Sequence, residues 1–300
     1  MTRFGKIRRR LHDSWLAETL RELQADRPFE TAAALSYYTL LSLAPIVLVT
    51  VALTSLVFGR DAVAGRIVGE VRGLVGEAGA EVIQSVLRNA SDPGESKFSL
   101  VVGVIALLAG ATTVFVQLQD ALNRIWDVEA KPGKSAIWTF VRDRLLSLAM
   151  VVGIGFLLLV SLVISAALAS LGDWIGPTNA PGLLQSINAL VSGAVITLLF
   201  AMMFKWLPDA KIAWNDVWFG ALVTAVLFTA GKHLIGEYLG RASVGSAYGA
   251  AGSIVVLMVW VYYAALILFF GAELTHVRSR RAHAKVVPSE YSVRVRPATK

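Results

Sequence analysis

The feature that most constrains this chain is a largely apolar run, residues 99–118, which contains no charged side chain. About 20 residues at about 1.5 Å of rise each span the roughly 30 Å hydrocarbon layer of a bilayer, so the run predicts a transmembrane helix. The rest of the chain is similarly apolar: 56% of its residues are hydrophobic, 16% are charged, and the mean hydropathy is +0.63. This composition is typical of integral membrane proteins.

The spacing of the apolar blocks predicts an all-α polytopic membrane protein with six transmembrane helices. The spans are predicted at about residues 31–58, 99–119, 145–171, 183–204, 217–235 and 250–272. The chain then divides into a cytoplasmic basic and amphipathic segment (1–30), a six-span membrane domain (31–275) and a cytoplasmic basic tail (276–300) that we expect to be disordered. Pro45 lies inside the first span and lacks a backbone N–H, so we predict a kink and a hinge there.

Two regions outside the spans show helical spacing of apolar residues. In the N-terminal segment, Leu16, Leu20 and Leu23 recur among charged residues. This pattern predicts a short amphipathic helix that either lies on an anionic membrane surface or packs on the inner loops of the protein itself. Between the first two spans, residues 59–98 predict an external hairpin of two amphipathic helices that caps one face of the bundle.

The distribution of basic residues predicts the orientation in the membrane. With six spans, both tails and the second and fourth loops share one side, which holds 21 of the 28 Lys and Arg residues. Basic loops stay on the cytoplasmic side, so both termini are predicted to be cytoplasmic. Membrane insertion thereby explains the net charge of +7, and no nucleic-acid partner is expected. The expected partners are membrane lipids and an anionic lipid or amphipathic substrate, and a homo-oligomer is compatible with the sequence.

The sequence contains none of the local motifs that mark catalytic or metal sites. It has no cysteine, its four histidines do not occur at a metal-binding spacing, and it has no Walker loop or nucleophile elbow. We therefore predict that the protein is not an enzyme and expect no catalytic residue, cofactor or metal. A metal site that assembles in space from distant residues would leave no such local motif.

Polar residues at the inner end of the second span are the main candidate substrate contacts: Gln117, Gln119, Asp120, Asn123 and Arg124. Polar groups at this depth are costly against lipid, so they are expected to face protein or a water-filled cavity. In one interpretation, Asp120 and Arg124 merely pair with each other, since they are four residues apart. In the other, the cluster lines the inner mouth of a cavity, where Arg124 meets a charged headgroup and Asp120 holds that arginine in place.

Two further pairs are weaker candidates for substrate contacts. Tyr37 and Tyr38, near the inner end of the first span, fit either an interfacial aromatic belt or a ligand contact. Lys232 and Arg241, near the end of the fifth span, fit either snorkelling to the surface or a phosphate-binding pair on the outer face.

Five runs of the sequence resemble the YihY/BrkB family of bacterial inner-membrane proteins. They are AAALSYYTLLSLAP (32–45), LQDALNRIWDV (118–128), RLLSL (144–148), LPDAKIAWNDVWFGALVTAVLF (207–228) and SAYGAAGSIVVLMVWVYYAALILFFGAEL (246–274). The resemblance covers roughly residues 25–275 in family order and implies a six-span α-helical protein of the cytoplasmic membrane. The polar family motif on the second span corresponds to Gln119, Asp120, Asn123 and Arg124.

For function, the resemblance implies less, because some relatives are linked with lipid or lipopolysaccharide export while many carry the label ribonuclease BN. A hydrolytic nuclease needs positioned metal ligands or an acid–base pair, and the predicted cytoplasmic loops show neither. The predicted function is a transporter or flippase-like carrier of an amphipathic or anionic, lipid-like substrate. The alternatives are a non-transporting structural or envelope-assembly protein and, least favoured, a membrane-bound ribonuclease.

Overall fold

The structure, a computed structural model, is mostly helical. It describes residues 15–58, 65, 67–69, 72, 77–89, 113–131, 145, 149–150, 153, 157, 181–241, 252–282, 287–289 and 292–295. In these ranges the main helices are α1 (Trp15–Ala25), α2 (Pro28–Phe58), α3 (Glu77–Asn89), α4 (113–125), α5 (Pro181–Trp206), α6 (Trp214–Arg241) and α7 (Gly252–Arg281). The short strands are β1 (Val128–Ala130), β2 (Ala210–Lys211), β3 (Val287–Pro288) and β4 (Ser292–Arg294).

Three helices in the described part are long and apolar enough to cross a membrane. They are Ser186–Trp206, Trp214–Ile235 and Gly252–Arg281, with mean hydropathies of 2.1, 1.4 and 2.5. They coincide with the predicted fourth, fifth and sixth spans, although α6 and α7 extend beyond the predicted ends at residues 235 and 272. The predicted third span (145–171) and residues 99–112 of the second lie almost entirely outside the described residues.

The outward faces of these helices are apolar. Leu190 of α5 is 73% exposed, and Val226 and Leu234 of α6 are 61% and 69% exposed. Large apolar side chains exposed in such numbers along helices of this length are expected to contact lipid rather than water.

Helices α6 and α7 pack closely through two pairs of glycine and threonine. A Cβ on Gly271 would overlap Thr224 Oγ1 and lie 3.0 Å from Thr224 Cβ, while a Cβ on Gly220 would overlap Thr275 Oγ1. Each hydroxyl is satisfied within its own helix, because Thr224 donates to Gly220 O and Thr275 donates to Gly271 O, both at 2.7 Å. The small residues therefore let the two backbones approach without leaving a polar group unpaired.

One end of the bundle, which we call the strand end, gathers segments from the whole chain. Strand β1, after α4, pairs antiparallel with β4, and β2, between α5 and α6, pairs antiparallel with β3. The prediction that residues 276–300 are disordered is therefore wrong for the part that the structure describes: α7 continues to Arg281, and β3 and β4 follow it. Cationic residues in its last turn favour the extension of α7, and β1 and β2 supply the edges that the tail strands need.

The largest buried side chains lie towards the strand end. Trp126, Leu122, Phe204, Leu207 and Phe269 are all almost fully buried and belong to one apolar cluster. This core joins the end of α4 to the end of α5 and to α7, so it fixes the position of the polar residues of α4.

Helix α1 packs on the end of α7 through ion pairs. Glu18 binds both Arg280 and Arg281, and Glu22 binds Arg280. On the other face of α1, Leu16 and Leu20 remain exposed. The acidic face of α1 thus packs on the protein itself, while the contact of its apolar face with a membrane surface stays a prediction.

In the predicted external hairpin, the described residues form a small separate core. Val68, Ala80 and Ile83 are buried together, and Leu43 of α2 packs against them. Helix α3 contacts both α2 and α7.

Candidate functional site

Two of the predicted contacts on α4 bind the turn after α5. The side-chain amides of Gln119 and Asn123 donate to Asp209 Oδ2 at 3.2 and 3.1 Å, and the backbone N–H of Asp209 donates to Asn123 Oδ1 at 2.7 Å. Gln119 is buried, so these bonds satisfy polar groups that would be costly without partners. Gln119 and Asn123 therefore hold α4 against the α5–α6 turn.

Other candidates line a cavity of about 480 Å³ between α2 and α4. We call it the α2–α4 cavity, and its polar lining includes Asp26, Arg27, Glu30, Tyr38, Gln117 and Arg124. Asp26 and Arg27 come from the turn between α1 and α2. Glu30 and Tyr38 belong to α2, and Gln117 and Arg124 belong to α4. Gln117, Arg124 and Tyr38 were predicted as substrate contacts, and the fold brings these three to one space.

The charges around the α2–α4 cavity are mixed. Burial raises the pKa of Asp26, the negative charge of Asp127 adds to this rise, and the positive charge of Arg124 opposes it. Arg27 pairs with Glu30 at 3.4 Å on the exposed rim. Arg124 is exposed, so its guanidinium is available to a ligand in the cavity.

The cavity also lies at the first turn of α2, where the backbone contributes positive partial charge. Pro28 begins α2, which suits the fixed φ of proline and its missing donor. Arg27, just before it, has a φ of 51°, a left-handed conformation that turns the chain from α1 into α2. The positive end of the α2 dipole favours an anionic group at this position.

A second set of polar side chains lies beside the α2–α4 cavity, near the strand end of α7. Glu273 and His276 are 0% and 3% exposed, and they are three residues apart on α7. Both carboxylate oxygens of Glu273, Nδ1 of His276 and Nε1 of Trp126 are buried without a hydrogen-bond partner. One ligand-type atom each from Glu22, Glu273 and His276 lies within 4.8 Å of the others, and we call these three residues the Glu273 cluster.

The remaining predicted contacts are not brought into the cavity. Tyr37 is 54% exposed and lies edge-on to Tyr38, with 5.8 Å between ring centroids. Asp120 is exposed on α4, and its predicted role in holding Arg124 stays a prediction.

Lys232 and Arg241 both belong to α6, nine residues apart. Nine residues are two and a half helical turns, so the two backbone positions lie on opposite sides of the helix. The phosphate-binding pair stays a prediction, because the side chain of Arg241 lies outside the described part. Pro45 lies within the continuous helix α2, and its predicted role as a hinge also concerns a side chain outside the described part.

Sequence reasoning missed Asp26, Asp209, Glu273 and His276. Asp209 had a signal, because two amides one turn apart on a buried helix face require an acceptor. The signal for Glu273 was weaker. Glu273 is a carboxylate that directly follows an apolar span, in a helical pattern that continues beyond it. Nothing in the local sequence pointed to Asp26, which gains its role from the charges that the fold places around it.

Comparison with known proteins shows the family. Residues 19–294 match the family described as virulence factor BrkB. A UPF0761 membrane protein of Pseudomonas paraeruginosa is 28% identical over 252 residues, which cover 83% of this chain and 59% of the relative. Relatives of the same name from Alteromonas mediterranea and Verminephrobacter eiseniae are 26% and 29% identical, over 82% and 86% of this chain and 81% and 61% of their own lengths.

The chain thus spans about three fifths of the length of the Pseudomonas and Verminephrobacter relatives. No solved structure matches it. The family resemblance predicted from the five sequence runs is confirmed by a match over most of the chain. The protein is an integral membrane protein and belongs to the virulence factor BrkB family.

Proposed function

We propose that this protein is a carrier or flippase-like transporter that binds the polar headgroup of an amphipathic, lipid-like substrate in the α2–α4 cavity. The observation that carries the proposal is the cavity itself, about 480 Å³ with two arginines, two carboxylates, an amide and a phenol in its wall. It lies at the end of apolar helices, where a headgroup enters water while its chains remain in lipid. An amphipathic molecule has the same division into a polar and an apolar part.

The cavity wall carries two arginines and two carboxylates, a balance that suits a zwitterionic headgroup or an anionic one bound at Arg124. Positive charge comes from Arg124, Arg27 and the first turn of α2, and negative charge comes from Asp26 and Glu30. A guanidinium binds a phosphate or carboxylate through two parallel N–H donors, which makes Arg124 the expected anchor. Asp26 lies within electrostatic reach of Arg124 and weakens its attraction for an anion.

The strand end, and the cavity with it, is proposed to face the cytoplasm of a bacterial cell. The distribution of Lys and Arg places both termini and the second and fourth loops on that side. The meeting of β1, β2 and the C-terminal strands at one end of the structure supports this proposal. We also propose that the protein is not an enzyme and has no nucleic-acid partner.

Native mass spectrometry of protein extracted directly from its own membrane tests the substrate site. We expect wild-type protein to retain a specific anionic or zwitterionic lipid and Arg124→Ala to lose it, because the anchoring guanidinium is gone. Arg88→Ala is the matched control, since Arg88 is an exposed arginine on α3, where it donates to Gln84. Asp26→Asn should act in the opposite direction and retain more of an anionic species.

Equal lipid profiles for wild type, Arg124→Ala and Arg88→Ala would contradict the site. In that case a non-transporting assembly protein becomes the better account. The hydrogen bonds of Gln119 and Asn123 to Asp209 already favour a structural role for these two residues of α4.

A further inference from the structure

We infer that the Glu273 cluster is a binding site for one divalent transition-metal ion, with Zn²⁺ as the best match, held by Glu22 of α1 and by Glu273 and His276 of α7. This inference is independent of the transport proposal, since it concerns side chains outside the lining of the α2–α4 cavity. It requires only that three side chains from two helices bring ligand atoms close together, and these atoms lie within 4.8 Å of one another.

The first argument is the state of the buried polar atoms. A fully buried carboxylate with no hydrogen bond to either oxygen is costly, because burial removes it from water and nothing replaces the water. Glu273 and His276 do not satisfy each other, since Glu273 Oε1 and His276 Nδ1 are 3.8 Å apart, beyond hydrogen-bond length. A cation between them would satisfy both groups at once.

The second argument is the ligand set. Two carboxylates and one imidazole provide two oxygen ligands and one nitrogen ligand, all of types that bind Zn²⁺, and they leave a fourth position for water. The imidazole disfavours Mg²⁺ and Ca²⁺, which prefer oxygen ligands only. Glu273 and His276 are already oriented by the rigid helix α7, so only Glu22 is carried by a separate element.

The third argument is the charge around the cluster. Asp26 and Glu22 both act on Glu273 with negative charge, and His276 is the basic group that faces it. Arg280 pairs with Glu22 and with Glu18, so Glu22 offers only part of its carboxylate to a metal. A divalent cation in the cluster would offset the negative charge that Asp26 and Glu22 exert on Glu273.

The test is zinc binding by the full-length protein in detergent, stripped with a chelator and then titrated with Zn²⁺. Isothermal titration and elemental analysis should give about one Zn²⁺ per chain for wild type. We expect Glu22→Gln and His276→Gln to weaken binding at least about tenfold, the loss that even an outer partner of a metal ligand commonly causes. Substituting Co²⁺ should give a visible absorption band in wild type that both variants lose.

Two controls separate metal binding from folding. Glu18→Gln removes an ion pair with the same Arg280 but is not in the cluster, so it should bind zinc like wild type. His233→Gln removes an exposed histidine on α6 and should also leave zinc binding unchanged. If His276→Gln does not fold, the comparison of Glu22→Gln with Glu18→Gln decides the question. No stoichiometric zinc binding by wild type, or equal binding by Glu22→Gln and Glu18→Gln, would overturn the inference.

Discussion

Glycine at the α6–α7 contact determines how closely these two helices approach. Thr224 occupies the space that a Cβ of Gly271 would need, and Phe204 Cζ lies 3.2 Å from the same point. Threonine is branched at Cβ and has few rotamers in a helix, so it cannot simply rotate away. Small residues at such positions are the usual basis of tight helix packing in membranes.

We expect Gly271→Ala to lower the free energy of unfolding by about 1–3 kcal/mol, the usual cost of overpacking a close contact. Gly193→Ala is the matched control, because Gly193 is also inside a long apolar helix and has nothing within 4 Å of its Cβ position. This control should be neutral or slightly stabilising, since alanine favours helix over glycine. Thermal unfolding of both variants in detergent is the measurement, and equal midpoints would contradict the close packing.

The polar face of α4 shows how far single residues can be interpreted from the sequence. Helical spacing correctly placed Gln117, Asn123 and Arg124 on a described helix, and three of the predicted contacts do line one cavity. The partner of Gln119 and Asn123 could not be identified in this way, because Asp209 lies 86 residues beyond Asn123. Only the packing of α4 against the turn after α5 reveals which amides are structural and which are open to a ligand.

Helix α1 depends on charge for its position against α7. Burial alone would raise the pKa of Glu18, but hydrogen bonds and positive charge from Arg281 and Arg280 outweigh it and hold this pKa below its usual value. A carboxylate with a lowered pKa in the folded state contributes stability at neutral pH. This contribution is lost progressively as the pH falls from about 4.5, the usual pKa of a glutamate, through the lowered pKa of Glu18.

We therefore expect α1 to detach from α7 more readily at pH 4 than at pH 7, and Glu18→Gln to remove part of this dependence. The effect should be below about 1 kcal/mol for each pair, because the side chains are partly exposed. Amide hydrogen exchange of residues 15–25 at the two pH values measures it. Glu81→Gln, which alters an exposed carboxylate on α3, should behave like wild type; an identical pH response in Glu18→Gln would contradict the account.

Helix ends were harder to predict than helix positions. Length and hydropathy located α5, α6 and α7, because about 20 consecutive apolar residues have few alternatives to a membrane helix. The same criterion ended α7 at residue 272, although the helix continues through charged residues to Arg281. Strands of two or three residues, such as β2 and β3, have no detectable period at all and depend on pairing between distant segments.

In the part of the chain that the structure describes, the candidate sites lie at one end and the outward faces of the long helices are apolar. The strand end carries the ion pairs of α1, the α2–α4 cavity and the Glu273 cluster, while residues such as Leu190 and Leu234 face outward from the helices. This division suits a protein that takes a headgroup from the water-facing side while the apolar chains of its substrate remain in lipid. Arg124 is the proposed anchor for that headgroup.

Transport in proteoliposomes tests this claim most directly. Acyl-labelled fluorescent phosphatidylglycerol is reconstituted with wild type, Arg124→Ala or Arg88→Ala, and dithionite then bleaches the label that reaches the outer leaflet. We expect wild type and Arg88→Ala to accelerate movement of the lipid over protein-free vesicles, and Arg124→Ala to abolish this acceleration while it remains inserted and folded. Full transport by folded Arg124→Ala, or no acceleration by wild type, would contradict the account.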